Sequence, residues 1–342
     1  MHQESKLINT IVPDLIKVME QRFNILRNIA FSEPVGRRSL AQTLGISERA
    51  LRTETDFLRR QDLIVTTRSG MILTVKGNET VTGLTNVMDQ LLGLSQLEKE
   101  LCETLEIKKC LIVSGDSDQQ EFVKEAIGKL ADDLLQEILP KGDNIIAVMG
   151  GTTMEQVAEQ MTCDLALKRT LTFVPARGGL GEKVEIQANN ISAKMALKTG
   201  GKHRALYVPE QVSKDTYRTL ITEPGVQEVI QLIKESNAVV HSIGDAISMA
   251  ERRYMPDEII EKMREKNTVG EAFGYFFDEN GQIIYRIPKI GLNLENLADM
   301  ETVVAVAGGS AKAQAIVAYM KIAPKQTCLV TDEGAARAIL KK

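Results

Sequence analysis

Tryptophan is absent from this chain and aromatic residues make up only 4% of it, so aliphatic packing must dominate its core. Cysteines are few: Cys102, Cys110, Cys163 and Cys328 are scattered, with no C-x-x-C pair and no Cys/His cluster. That spacing argues against a disulfide framework or a structural zinc site and fits reduced, partly buried thiols. The three histidines, His2, His203 and His241, also lack metal-ligand spacing, and neither metal nor cofactor is expected. No apolar run reaches the roughly 18 residues that would span a membrane. Charged and polar residues interrupt the first stretch, where a signal peptide would lie, so a cytoplasmic protein is expected. The G-x-G-x-x-G fingerprint is missing from the first strand–helix turn, and no P-loop or G-x-S-x-G elbow occurs.

What the chain does hold is unevenly distributed. Its 342 residues, 43% of them hydrophobic, can form two or three domains with a sizeable core. The net charge of −4 argues against general affinity for nucleic acid. Residues 1–92, however, carry 12 basic against 10 acidic side chains, a net +2, while residues 93–342 carry 30 against 36, a net −6. An electropositive front on an acidic body fits local attraction for an anionic polymer. The expected domains are accordingly 1–92 and 93–342.

The front opens with apolar residues at helical spacing between Leu7 and Phe31, with Pro13 suited to an early helix position. The stretch GRRSLAQTLGISERALRTETDFLRRQDLI, Gly36 to Ile64, then has the features of a helix-turn-helix. Ser39 and Gln42 have capping-box spacing, Gly45 suits the tight turn, and Ser47 can cap the second helix. On that helix Leu51, Thr55 and Leu58 share one face, and Arg49, Arg52, Thr53, Asp56 and Arg60 share the other. Arginines in that position can read guanine edges or hold phosphates; Arg37 and Arg38, at the start of the preceding helix, suit backbone positioning. The plainer alternative is a solvated face with Arg49 or Arg52 paired to Glu48 or Asp56. Leu63–Thr67 and Met71–Val75 are expected to pair as a wing with Arg68 at its tip. An apolar seam from Thr80 to Leu101 predicts a linker helix, divided where Gly93 and Ser95 fall, that either pairs subunits or packs on the following domain.

Two stretches of the body read alike. Asn144–Met161 is an apolar run, Gly150-Gly151, Thr152-Thr153 and a helical pattern. A strand that turns on glycines into a helix presents free backbone N–H groups and the positive end of the helix dipole, which suits a phosphate. A plain turn with capping threonines is the alternative. Thr302–Met320 repeats the pattern with Gly308, Gly309, Ser310 and Lys312. A cation is mildly unfavourable in a first helical turn, so Lys312 either faces a ligand anion or is simply solvated. Two such turns suggest a ligand with two anionic groups.

From Cys110 onward strands alternate with helices. The expected strands are Cys110–Ser114, Ile145–Met149, Thr172–Pro175, Ala205–Val208, Ala238–Ile243, Val303–Ala307 and Thr327–Thr331, with helices such as Glu121–Ile138 and Val226–Glu235 between them. This alternation predicts an α/β fold with an open, mostly parallel, Rossmann-like sheet. Ligands of such sheets bind at the carboxyl ends of strands, where Gly151, Arg177, His241 and Gly309 fall. Phe276-Phe277 and Ile283–Ile287 flank a hairpin turn. Arg177 suits bidentate phosphate binding, and Arg252 and Arg253 lie near a helix end. An enzyme on this fold would need an acid or base; His241, Asp245 and Glu271 are the clustered candidates, with a structural role for His241 the usual case. Asp332-Glu333-Gly334 reads as the start of the last helix.

The strings GRRSLAQTLGISERALR, SGDSDQ, GGTT, FVPARGGLGE, EAFGYFF, VAVAGGSAKAQAI and LVTDEGAA resemble those of the SorC/DeoR-like sugar-sensing transcriptional repressors, in the branch that governs glycolytic genes. The resemblance covers essentially the whole chain. It implies a winged helix-turn-helix joined to a sugar-phosphate isomerase-like effector domain, and a homo-oligomer (dimer or tetramer) that binds operator double-stranded DNA. It implies repression of the operon that begins with glyceraldehyde-3-phosphate dehydrogenase, with fructose-1,6-bisphosphate or a related sugar phosphate as effector. Carried over by motif, one phosphate should meet Gly150, Gly151, Thr152 and Thr153, with Arg177 nearby. The other phosphate or the sugar hydroxyls should involve Gln187, Arg252, Glu271 and Lys312. The DNA contacts implied are Arg37, Arg38, Ser47, Arg49, Arg52, Thr53, Arg60 and Arg68. The alternative is a sugar-phosphate isomerase or deaminase-like enzyme with an accessory DNA-binding domain.

Overall fold

A computed structural model describes residues 11–91, 93–178, 183–208, 214–287 and 290–341. The chain divides into two compact units, Met1–Leu97 with Gln119–Val123, and Glu98–Asp118 with Lys124–Lys342. No helix among the described residues is long and apolar enough to cross a membrane.

The first unit begins with helix α1 (Pro13–Ser32), which has Pro13 in its first turn, where a missing N–H costs nothing. The expected helical residues before position 11 lie outside the described residues. Helix α2 (Arg37–Thr43) buries Leu40 and Ala41. Its N-cap is Gly36, so Ser39 sits inside the helix and the expected Ser39–Gln42 box does not form at its start. Gly45, at φ +63°, makes the turn, a backbone conformation that glycine adopts without steric cost. Helix α3 (Glu48–Arg60) is capped by Ser47, whose Oγ accepts the Ala50 N–H at 3.2 Å. Leu51, Thr55 and Leu58 are its buried face. Leu51 and Leu58 pack with Ile25, Leu26 and Ile29 of α1 and Leu40 of α2; each buried leucine contributes about 1.5–3 kcal/mol.

Strands β1 (Ile64–Thr66) and β2 (Met71–Leu73) pair antiparallel, Val65 opposite Ile72. The hairpin is shorter than expected because helix α4 (Val75–Leu91) begins directly after it. Gly93, at φ +72°, separates α4 from α5 (Leu94–Leu105), the division that its glycine predicted.

The second unit is built on seven parallel strands. In chain order its elements are β3 (Lys109–Val113), α6 (Glu121–Ile138), β4 (Gly142–Val148), α7 (Thr152–Gln160), β5 (Arg169–Pro175), α8 (Ala188–Thr199), β6 (Lys202–His203), α9 (Lys214–Leu220) and α10 (Pro224–Lys234). There follow β7 (Ala238–Ser242), β8 (Gly244–Asp245), α11 (Ala246–Arg252), α12 (Asp257–Glu265), β9 (Thr268–Ala272), β10 (Tyr275–Asp278) and β11 (Ile283–Arg286). The chain ends with β12 (Thr302–Val306), α13 (Ala313–Met320), β13 (Thr327–Asp332) and α14 (Glu333–Leu340).

The sheet order is β3-β13-β12-β7-β4-β5-β6. From β4 the chain winds outward through β5 and β6, then returns to the other side of β4 at β7. The reversal opens a crevice between β4 and β7 at their carboxyl ends, where open α/β sheets bind ligands. Every residue of β12 and β13 is buried, as covered parallel strands require. The α/β class and the parallel sheet match the expectation. One strand does not: instead of Ala205–Val208, the edge strand is Lys202–His203, pairing with Thr172 and Phe173 of β5.

A second sheet, of order β11-β10-β9-β8, is antiparallel. Its hairpin β10–β11 was legible from the flanking apolar runs. Strand β9 was not, because Thr268–Ala272 reads TVGEA, with a glycine and a glutamate where a strand pattern expects bulk. Gly270 is there for space: a Cβ would lie 2.4 Å from Phe277 Cε2.

Candidate functional site

The first glycine turn follows β4 as expected. Gly151, at φ +127°, is the N-cap of α7 and no side chain caps the helix. Gly150 is pressed against the preceding backbone of α8, for a Cβ there would lie 2.6 Å from the Ile186 oxygen and 3.2 Å from the Ala188 nitrogen. The Gly151 N–H donates to that Ile186 oxygen at 2.8 Å, which places Gln187, the N-cap residue of α8, beside the turn. The N–H groups of Thr152, Thr153 and Met154 have no acceptor among the described residues, and neither do the two threonine hydroxyls. Unsatisfied donors at a helix start, with the dipole behind them, form a ready anion site.

The second turn, after β12, also sets a positive-φ glycine at a strand–helix junction, but it enters a 3-10 turn, Ser310–Lys312, before its helix, and its content differs. Gly309 is at φ +97°. Its N–H donates to Asp332 Oδ2 at 2.7 Å, that of Ser310 to Asp116 Oδ1 at 3.3 Å, and that of Ala311 to Asp118 Oδ2 at 2.8 Å. A Cβ on Gly309 would fall 2.3–2.6 Å from the Asp118 carboxylate atoms. The two turns are therefore not equivalent. The protein's own carboxylates already neutralise the second one, and the SGDSDQ and TDEG strings supply them. Asp332 also accepts the Ser117 and Ala335 N–H groups, at 2.9 and 2.8 Å, and so caps α14, as its sequence predicted.

Basic side chains gather at the same strand ends. Arg177, only 4% exposed, follows β5. Its backbone bridges Gly291, at φ +139°, where a Cβ would come within 2.6 Å of the Arg177 Cα. Glu271, in β9, accepts the Gly274 N–H at 2.6 Å and pairs with Arg253 Nη1 at 3.2 Å. Burial alone would raise the Glu271 pKa, but the guanidiniums of Arg253 and Arg177 and the Gly274 N–H hold it below the usual carboxylate range. Arg252 turns instead to the Met249 sulfur at 3.2 Å. Lys312 is half-buried; its backbone N–H donates to the Gly309 oxygen at 3.0 Å, and its ammonium group makes no hydrogen bond or ion pair among the described residues. Burial lowers its pKa; Asp118 and Asp332 counter that, whereas Arg252 and Lys124 reinforce it. Arg177 thus acts electrostatically on Glu271, and Arg252 on Lys312. The structure adds Arg253, which the sequence marked only as an equal alternative to Arg252.

The acid–base candidates stay neighbours, with β8 paired to β9 through Gly244 opposite Glu271 and Asp245 opposite Gly270, but each has its own structural task. His241 is fully buried, with Nε2 3.0 Å from Tyr319 Oη and Nδ1 3.3 Å from the Ser242 oxygen. Burial, against smaller opposing effects of Ser242 and Glu271, holds its pKa down to about 4, so it is a neutral core residue. Asp245 caps α11, accepting from the Ser248 N–H at 2.8 Å and its hydroxyl at 2.7 Å. Glu271 belongs to its arginine pair.

On the first unit, α3 presents a basic face. Arg22 holds Glu54 from the other side at 2.7 Å. The side chains of Arg49, Arg60 and the hairpin-tip Arg68 are exposed and make no hydrogen bond or ion pair among the described residues. Asp56 meets Arg59 at 3.1 Å and stands 3.9 Å from Arg52. Arg38, 92% exposed, is only loosely opposite Glu48 at 3.9 Å, and Arg37 is half-buried. Thr53 spends its hydroxyl on the Arg49 oxygen at 3.2 Å. The pairing with Glu48 or Asp56 that would have made this an inert face is absent for Arg49 and weak for Arg52, since such exposed pairs contribute about 0–1 kcal/mol.

Comparisons with known proteins add to this geometry. Residues 89–341 match the family model described as "Putative sugar-binding domain", and residues 18–88 match that of the CggR N-terminal DNA binding domain. The central glycolytic genes regulator of Bacillus subtilis (strain 168) is 47% identical over 341 residues, covering 100% of this chain and 99% of that protein. A crystal structure described as a SorC family transcriptional regulator from Enterococcus faecalis is 56% identical, with a TM-score of 0.69, over 72% of this chain and 99% of that one. The full-length sorbitol operon regulator SorC of Klebsiella pneumoniae shares the fold at 16% identity, with a TM-score of 0.65 over 90% of this chain and 94% of its own.

Proposed function

This chain belongs to the SorC family of transcriptional regulators, and on that premise we propose that it represses glycolytic genes and is released from its operator by fructose-1,6-bisphosphate. The observation that carries the reading is the open turn at Gly150–Thr153, a set of unsatisfied donors inside a domain matched by a sugar-binding family. One phosphate takes the Thr152 and Thr153 N–H groups and hydroxyls, with Gly150, Gly151 and Gln187 as the wall. Because the second glycine turn is already neutralised, the other phosphate and the sugar hydroxyls meet side chains: Arg177, Arg252, Glu271 and Lys312. Glu271 accepts from sugar hydroxyls while its partner Arg253 keeps it ionised.

Operator DNA meets α3 through Arg49, Arg52, Thr53 and Arg60, which reach base edges or phosphates in the major groove. Arg37, Arg38 and Ser47 set the register on the backbone, and Arg68 contacts the duplex from the hairpin tip. The protein acts as a symmetric dimer or tetramer in the cytoplasm, on the operon that begins with glyceraldehyde-3-phosphate dehydrogenase. The name of the Bacillus subtilis relative supports the choice of glycolytic genes.

Release requires that the effector prefer the assembly that holds DNA poorly. A coupling of about 1–3 kcal/mol changes operator affinity roughly 5- to 150-fold. Titrating operator DNA with and without fructose-1,6-bisphosphate tests this. Weaker binding with the sugar phosphate present is expected; unchanged affinity and unchanged oligomer size would defeat it.

A further inference from the structure

Ser242 ends β7, two residues beyond Val240, which pairs with Val148 at the end of β4. On its other side it pairs with Val306, the last residue of β12. It therefore stands at the mouth of the crevice, between the strand that leads into the open glycine turn and the strand that leads into the closed one. Side chains alternate along a strand. His241 goes into the core against Tyr319, and Ser242 faces the opposite way.

Its hydroxyl lies over the open turn. Among the described residues, a Cβ built on Gly151 meets one non-neighbouring atom within 4 Å, Ser242 Oγ at 3.2 Å. The corresponding Cβ on Gly309 lands on the carboxylate of Asp118. The closed turn thus shows how this fold fills such a place, with an anion seated against the glycine and held by the N–H groups of the following residues. At the open turn the same place meets, among the described residues, one hydroxyl in its wall. That hydroxyl is half-buried and makes no hydrogen bond among the described residues. Thr55, Ser192 and Thr199 spend their hydroxyls within the fold, on the Leu51 oxygen at 2.9 Å, the Asn189 oxygen at 2.8 Å and the Met195 oxygen at 2.8 Å, whereas those of Thr268 and Thr331 are buried without a partner among the described residues.

We propose that Ser242 is a further ligand of the phosphate group at the Gly150–Thr153 turn, donating its hydroxyl hydrogen to a phosphate oxygen seated over Gly151. The proposal rests on the reading that this turn holds a sugar phosphate. A hydroxyl bonded to an anionic oxygen makes a short, charge-assisted hydrogen bond. It completes a ring of hydroxyls with Thr152 and Thr153, drawn from a second strand. No residue type in the sequence marked it, because a lone serine after a buried strand carries no motif; only the topology sets it beside Gly151.

The test is calorimetric titration of the full chain with fructose-1,6-bisphosphate, for the unaltered protein and for Thr152→Ala, Ser242→Ala and Ser242→Cys. Ser242→Ala is expected to weaken binding roughly tenfold, the scale of one hydrogen bond to a charged group. Ser242→Cys, with its weak donor, is expected to fall between. If Thr152→Ala weakens binding and both Ser242 variants match the unaltered protein, the proposal is overturned while the site reading survives. If the unaltered protein binds but neither Thr152→Ala nor Ser242→Ala changes affinity, both are overturned. An unaltered protein that does not bind the sugar phosphate overturns both as well.

Discussion

Replacing Arg253 by methionine strips one of two cations from a carboxylate that has almost no access to water. The Arg253 and Glu271 side chains are 4% and 5% exposed and 3.2 Å apart. Removing one partner of such a pair costs about 3–5 kcal/mol, because the remaining charge is left buried without compensation. Here the lower end applies: Arg177 still acts on Glu271, and the Gly274 N–H still donates to it. A loss of about 3 kcal/mol in a domain of this size lowers the melting temperature by roughly 6–12 °C. The double variant Arg253→Met with Glu271→Gln removes the stranded charge and should recover about 1–3 kcal/mol relative to additivity. The effect should also depend on pH with a definite sign. Glu271 is held below its ordinary pKa, so its contribution is complete above the usual carboxylate range and is lost as the pH falls beneath it. Thermal unfolding of the two singles and the double, followed by circular dichroism, measures all of this. A drop of less than roughly 2 °C for Arg253→Met, below the scale of a buried pair, or strict additivity in the double, would refute the reasoning.

Further outcomes follow from the same geometry. His241 is held at about 4 against a free value of 6.5, so the stability it contributes is complete above the unfolded pKa and falls away as pH drops toward the folded one. The loss is about 2 kcal/mol by about pH 5, visible as a falling urea midpoint that His241→Gln should flatten. Arg49→Ala should weaken operator binding by about 1–3 kcal/mol and relax preference at one base pair if it reads an edge; a gel-shift series on mutated operators checks it. Gly309→Ala drives a methyl onto the Asp118 carboxylate and imposes left-handed backbone on alanine, a loss of about 1–3 kcal/mol. The steric part should be relieved in the Gly309→Ala, Asp118→Ala double, read by thermal shift.

The sequence revealed most of the architecture where periodicity carries structure. Six of the seven parallel strands and the 18-residue helix Glu121–Ile138 stood out because buried parallel strands are continuous apolar runs and amphipathic helices repeat every 3.6 residues. The edge strand Lys202–His203 and strand β9 did not, since both are exceptions to that rule: one is short and exposed, the other has Gly270 and Glu271 where packing and charge demand them. At the site, the glycine turns were visible as local chemistry. Whether each was open or filled was not, because Asp116, Asp118 and Asp332 reach Gly309–Ala311 from about 20 to 190 positions away in the chain. The choice between Arg252 and Arg253 turned on a helical register that adjacent identical residues cannot disclose.

The central claim, that one glycine turn offers its N–H groups to a sugar phosphate while its twin spends them on the protein's own carboxylates, is tested most directly by a crystal structure of the full chain grown with fructose-1,6-bisphosphate. The account predicts a phosphate on the Thr152 and Thr153 N–H groups, within reach of Ser242, with Asp118 still on the Ala311 N–H. A cleft after Met149 filled only by water, or a phosphate seated at Gly309–Ala311 with Asp118 displaced, would contradict it.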